Sequence, residues 1–524
     1  MKRIFAKIIS ISLLVCLLVP ALASCESEEP QEVQLNIIDD NYRNWYEIYV
    51  GSFYDTNNDG IGDLAGVTAK LDYIQEMGFN GIWLMPIHPS PTYHKYDVND
   101  YYKIDPDYGT LEDLDTLISE AHSRGIRVIL DLVVNHTSTE NAWFKEACQY
   151  IRENGKPGGE YGDFYNFRQG TASNYHQVSG TPYYYEGQFW SGMPDLNLDS
   201  QNVRAAIADV MEYWLVDHDV DGFRLDAVTS YYTGSVPKNV DFLSWINKTA
   251  KSFKSDAYIV GEAWVNSDYT INQYYQSGCD SFFLFTGAQA TGSIASIVKQ
   301  ANGKALGNLM MKLQETYTSG ILAPFLGNHD TMRPGSFMPG EERVKMAGGI
   351  LATMNGGCYV YYGEEIGMIS KGGNNSDPAK RIAMKWQAKN IYEGHCFVSP
   401  ENVPVDKTSY LYPSVAEQEA DNSSILNYYK RAMQLRNMFP AIARGEVENF
   451  SPADNPYICV ITKTYNDEKI TIVYNLDEWE QTITLDEALG CTEIVGDLYA
   501  SGDAKAEYKD GKLVLPPYSI AILK

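Results

Sequence analysis

Side chains that can act as acid, base or nucleophile gather at the ends of four apolar runs. The endings "VVNH", "FRLDAV", "GEAW" and "GNHD" supply His136, Arg224, Asp226, Glu262, His329 and Asp330. One carboxylate at such a place caps a helix or pairs with a base as readily as it reacts. Three carboxylates with two histidines and an arginine point to a reaction centre. Arg224 precedes Asp226 by two positions, so in an extended strand both face the same way and the guanidinium keeps that carboxylate charged, as a nucleophile needs. Glu262 follows the apolar "YIVG" and precedes Trp264, surroundings that favour a protonated acid. An ionised nucleophile beside a protonated acid is the pair a retaining glycosidase uses.

A second acidic cluster lies in "YDTNNDGIGDL", Tyr54 to Leu64. Asp55, Asn57, Asp59 and Asp63 offer hard oxygen ligands, Gly60 permits a sharp turn, and the Ile61 carbonyl can complete a calcium shell. An EF-hand starts the same way but needs Glu at its twelfth position, which here is Gly66. The alternative is an Asx-rich turn without a metal.

The elements that must position these groups follow from hydrophobic pattern. Eight short runs rich in branched and aromatic residues start at Asn44, Gly78, Arg127, Val220, Ala257, Cys279, Ile321 and Cys358. Amphipathic helical patterns separate them, among them Val67 to Met77, Leu111 to Ser123 and Asn202 to His218, the second opened by Thr110 with Asp113 three residues on. Eight strand–helix units imply an α/β chain closed as a (β/α)8 TIM barrel, whose C-terminal rim carries the polar strand ends. The expected catalytic barrel covers 41–136 and 201–441. The third strand is separated from its helix by 137–200, rich in Gly, Tyr and Asn, which is read as an inserted subdomain. From 442 to 524 alternating stretches such as "ITIVYNL" and "QTITL" predict an antiparallel β-sandwich domain.

The chain of 524 residues has 41 Lys and Arg against 68 Asp and Glu, a net charge of -27. That excess repels nucleic acid and anionic lipid and suits a neutral polymer. The 39 tyrosines offer flat rings on which sugars can stack. The start, "MKRIFAKIISISLLVCLLVPALASC", has a basic end, an apolar run too short to span a bilayer and small residues before Cys25. It predicts a signal peptide at 1–24, and "LASC" resembles a bacterial lipobox, with lipid on Cys25, an acidic tether over 25–40, and a secreted protein anchored at the cell surface or membrane by that lipid. The alternative is an ordinary signal with a chance Cys. Cys148, Cys279, Cys358, Cys396, Cys459 and Cys491 are irregularly spaced and suggest neither a disulfide framework nor a zinc site.

"DLVVNH", "GFRLDAV", "GEAW" and "FLGNHD", in this order and spacing, resemble the signatures of the α-amylase family of glycoside hydrolases. "GMPDLN" late in the insertion resembles an intermediary group within it, some of whose members are surface lipoproteins. The resemblance implies hydrolysis of internal α-1,4 bonds in starch-like α-glucans and maltooligosaccharides, with Asp226 as nucleophile, Glu262 as acid/base and Asp330 as transition-state stabiliser. It places His136, Arg224, His329, His94 and the stacking ring of Tyr96 around the cleaved sugar, and Asp377 and Arg381 at the neighbouring glucose. It also implies that calcium braces the Asp55 loop outside the catalytic centre. Two departures stand out. Thr229 and Ser230 replace the Lys-His that many members carry after the nucleophile motif, and the partners that would let Asn135 bind a second calcium cannot be aligned. The residue after the nucleophile is Ala227, where α-1,6-acting relatives typically have Val. Alternative readings are an α-1,6-acting or glucosyl-transferring relative, and a non-catalytic surface glucan-binding protein.

Overall fold

In the computed structural model, which describes residues 40–370, 376–388, 393–397, 400–402, 410–501 and 505–524, eight parallel strands carry the chain around a barrel. They are β1 (Asn44–Ile48), β2 (Gly81–Leu84), β3 (Arg127–Leu132), β4 (Gly222–Leu225), β5 (Tyr258–Gly261), β6 (Ser281–Phe283), β7 (Ile321–Ala323) and β8 (Cys358–Tyr361). Each falls inside one of the eight apolar runs. Such runs suit parallel strands because helices outside and side chains inside bury both faces. The order is β7-β6-β5-β4-β3-β2-β1-β8, and one parallel bridge between Phe325 and Tyr359 joins the two ends.

The lower barrel is filled by rings more than by aliphatic side chains. Trp45 stacks on Tyr258 at 4.9 Å and on Tyr359 at 5.9 Å, and the two tyrosine hydroxyls meet at 2.8 Å. Trp83, Phe283, Phe285 and Phe325 belong to the same cluster, together with Ile129 and Val260. A packed base of this kind leaves only the opposite rim free for a ligand.

Outside the barrel, the helix Leu111–Ser123 begins with the predicted reciprocal cap of Thr110 and Asp113. The single helix expected over Val67 to Met77 is two short ones, Leu64–Ala69 and Leu71–Glu76, broken at Lys70 with φ −106° and ψ 8°. The apolar spacing continues across the break, so the pattern alone gave no sign of it.

Within 137–200 a helix, Ala142–Asn154, is followed by three short antiparallel strands. Beyond Glu446 a five-stranded and a three-stranded antiparallel sheet pack face to face over Ile458, Val460, Val473, Leu513 and Leu515. The 1–24 signal, Cys25 and all but the last residue of the 25–40 tether lie outside the described residues. Among the described residues no helix is long and apolar enough to cross a membrane.

Candidate active site

Three neighbouring strands bring their carboxyl groups to Arg224, which is fully buried. From β4 its Nη1 donates to Asp226 Oδ1 at 2.8 Å and to both oxygens of Asp131 on β3, at 2.9 and 3.0 Å. Its Nη2 lies 3.1 Å from Glu262 Oε1, just past β5. One guanidinium thus touches three carboxyl groups, and Asp226 and Glu262 flank the same small volume.

Burial pushes the Glu262 carboxyl up to about 7, against Arg224 and with the help of the Asp226 and Asp330 charges. This is the direction its apolar neighbours imply. Glu262 Oε2 accepts the Ala227 N–H at 2.9 Å. Ala227 has φ +47°, a left-handed conformation that an L residue adopts at a cost, and that turn aims its N–H at the acid. Burial likewise raises Asp131 to about 6, opposed by Arg224.

Asp330, beyond β7, is held from two sides. Arg381 Nη2 donates to Oδ1 at 2.7 Å, and His329 Nε2 stands 2.9 Å from Oδ2. Burial opposes ionisation of Asp330, but the His329 and Arg381 charges outweigh it and hold the carboxyl far below the usual range. The His329 Nδ1 faces Glu47 Oε1 at 2.5 Å. Burial would lower this imidazole, yet the Asp330 and Glu47 carboxylates raise it to about 9.

The open cleft, about 220 Å³, is lined by His94, Tyr96, His136, Asp226, Glu262, Asp330, Asp377 and Arg381, with Ala227, Phe189, Met193 and Trp264. Tyr96 stacks on His329 at 5.5 Å and donates to Asp131 at 3.0 Å, so its ring is fixed before any ligand arrives. His136 Nε2 is buried without a protein partner, free to bond a ligand hydroxyl, and burial lowers its pKa so that the ring stays neutral. His94 is pushed by burial to about 4, against Asp97. Asp377 Oδ1 is 2.8 Å from Lys380 Nζ.

Two of the residues expected around the sugar differ. Arg224 and His329 are wholly buried and do not line the cleft; they grip the carboxylates from behind. Asp131 and Glu47 were missed, although each is a lone acid inside an apolar strand run, which was their available signal. Phe189, half exposed at 51%, was also missed, and Trp264, at 44% and stacked on Phe285 at 4.9 Å, was read only as an apolar neighbour of Glu262 and not as part of the cleft lining. Exposed rings carry no periodicity in sequence that marks them.

In the Asp55 turn, the acidic and amide oxygens accept backbone N–H groups. Asp55 takes those of Asn57, Asn58 and Gly60 at 3.1, 2.7 and 2.8 Å. Asn57 takes that of Asp59 and Asp59 that of Ile61, both at 2.8 Å. Asp63 caps the helix Leu64–Ala69 through Gly66 N–H at 2.7 Å. Carboxylate oxygens have further lone pairs, and the all-oxygen donor set has the hardness calcium prefers. No three His, Cys, Asp or Glu side chains form a metal-holding group among the described residues, so a shell here would draw on Asn57 and the Ile61 carbonyl as well.

The α-amylase catalytic-domain family matches residues 47–445. Alpha-amylase 3 of Dictyoglomus thermophilum is 36% identical over 497 residues, covering 92% of this chain and 93% of that protein. The oligo-1,6-glucosidase of Heyndrickxia coagulans is 31% identical over 530 residues, covering 84% and 92%. Among solved structures, Eubacterium rectale Amy13B superposes with a TM-score of 0.88 at 42% identity over 94% of this chain and 96% of its own. An eight-stranded barrel with a carboxylate rim, matched over most of its length by these relatives, makes this chain a member of the α-amylase family of glycoside hydrolases.

Proposed function

We propose that this enzyme cleaves internal α-1,4 bonds of starch-like glucans with retention of configuration. The observation that carries the reading is the shared Arg224: it holds the Asp226 carboxylate while burial keeps Glu262 near neutrality. In the first step Asp226 attacks the anomeric carbon and Glu262 gives its proton to the departing oxygen, leaving a covalent glycosyl-enzyme. In the second, Glu262 takes a proton from water, which attacks the same carbon and releases Asp226. Asp330, tied to Arg381 and His329, bonds hydroxyls of the distorted sugar, with Tyr96 beneath it and His94 and His136 beside it. Asp377 and Arg381 serve the neighbouring glucose. Incubation with amylose should release reducing ends; none would favour a glucan-binding surface protein.

The linkage rests on Ala227, whose methyl leaves room for a glucose joined through its 4-hydroxyl, and on similarity to an α-amylase. Resemblance to oligo-1,6-glucosidases supports the second reading, α-1,6 cleavage or glucosyl transfer. A methyl or two discriminates by only about 1–3 kcal/mol, so the preference is strong but incomplete. A specificity constant for isomaltotriose equal to or above that for maltotetraose would replace the first reading with the second.

Calcium belongs to the Asp55 turn in this proposal, held by Asp55, Asn57, Asp59, Asp63 and the Ile61 carbonyl. It would brace the loop and take no part in the chemistry. Lipid on Cys25 anchors the secreted protein at the bacterial surface, in keeping with the leader and the "MPDLN" segment; a Cys25→Ser protein should leave the membrane fraction. The acidic surface leaves nucleic acid out of its partners.

A further inference from the structure

Glu47 stands at the end of β1, on the far side of His329 from the cleft, and is itself buried. Its Oε1 receives His329 Nδ1 at 2.5 Å and the His329 backbone N–H at 3.4 Å. On the other edge of the ring, Nε2 lies 2.9 Å from Asp330 Oδ2 and 2.7 Å from Tyr96 Oη. The Tyr96 hydroxyl spends its own hydrogen on Asp131 Oδ2 at 3.0 Å, so toward His329 it accepts. With that hydrogen on Asp131, the carboxylates of Glu47 and Asp330 at the two ring edges accept from a ring that carries a proton on both nitrogens. Trp83 closes the ring in edge-on at 5.6 Å.

We propose that Glu47 is a positioning residue for the glycosidic reaction: through His329 it fixes the Asp330 carboxylate and the Tyr96 ring at the cleft face. The inference rests on the reading of Asp226, Glu262 and Asp330 as the reacting centre. A carboxylate behind the imidazole does two things. It sets the ring's orientation, and it balances the positive charge on a side chain with no access to water. The other charged or titratable groups facing this pair come from every neighbouring element. Asp131 and Arg224 approach from β3 and β4, and Arg381 donates Nε to the His329 carbonyl at 3.2 Å. Tyr361 of β8 and Glu364 beyond it lie close enough to feel Glu47. Of these, Glu47 and Asp330 act most strongly on the ring.

The neutral isostere Glu47→Gln separates charge from shape, because its amide oxygen still accepts the Nδ1 proton. With ring-labelled histidine, the His329 signal, identified by its loss in His329→Asn, should stay doubly protonated to at least pH 8 in the wild type. In Glu47→Gln it should titrate at least one pH unit lower. On maltotetraose, the ratio of variant to wild-type kcat/KM should fall about twofold or more between pH 6 and pH 8, since the Glu262 limb is common to both. A wild-type ring found neutral at pH 8, or a variant ring titrating unchanged, overturns the proposal, as does a ratio independent of pH, which is what a purely structural role gives. The wild-type titration needs neither the variant's folding nor any activity. An enzyme inactive on glucans whose His329 still behaves as described would therefore fail the functional reading alone.

Discussion

The acids of the Asp55 turn find all their side-chain partners within seven residues along the chain, whereas the network of the cleft adds to its near neighbours partners on strands far apart in sequence. Arg224 reaches Asp131 across 93 positions and His329 reaches Glu47 across 282. In the turn, neutral backbone amides and the Thr56 hydroxyl satisfy the oxygens, and local geometry alone explains the arrangement: an Asx turn repeats three times. At the rim, full charges from other strands do so inside a dry wall, where each is worth more. Hence only the rim can hold one carboxyl protonated and another ionised a few ångströms apart.

The comparison predicts unequal responses to mutation. The largest is at the rim: Glu262→Gln and Asp226→Asn should each lower kcat on maltotetraose by about 10²-fold or more, with little change in melting temperature. Losses below about tenfold in a sound protein would refute their roles. In the proposed reaction Glu262 acts in its protonated form, and its carboxyl is raised to about 7, so wild-type kcat/KM should decline as pH rises through about 7. A rate flat from pH 6 to 9 would remove it as the acid.

Next comes Arg224→Ala, which strands three buried carboxyl groups and should cost about 3–5 kcal/mol of stability. Denaturant unfolding measures it; a cost below about 1 kcal/mol would mean that the rim is no more cooperative than the turn.

Calcium is third. If the turn binds it, a hundredfold excess over its dissociation constant adds about 2.7 kcal/mol to the folded state, seen as a higher melting temperature that Asp59→Ala abolishes. A wild-type melting curve indifferent to chelator would leave the turn held by its amides alone.

The smallest effect should come from Asp63→Ala, measured in chelator so that metal plays no part. Losing one helix cap costs about 1 kcal/mol, and a cost as large as that of Arg224→Ala would erase the distinction between the two regions.

Much of this was legible along the chain. Each barrel strand lies within its apolar run, Thr110 and Asp113 form their cap, and Asp226, Glu262 and Asp330 stand at strand ends around one cleft. The break at Lys70 was not legible, because apolar spacing continues across it, and neither was the burial of Arg224 and His329. Glu47 and Asp131 could be noticed as acids within apolar runs, but nothing local told what they would face.

By itself, the sequence determined what depends on neighbours within a few residues: strand and helix periodicity, caps, the Asx turn, and the order of acidic strand ends around a barrel. Tertiary structure decided what depends on strands meeting side by side. Closing β8 against β1 sets Glu365 and Tyr361 beside the first strand, and the β1 and β7 ends bring Glu47 to His329. Charge interactions act through space and strengthen as water is excluded, so the protonation of Glu262, Asp131 and His329 is a property of the closed barrel, which no stretch of the chain contains.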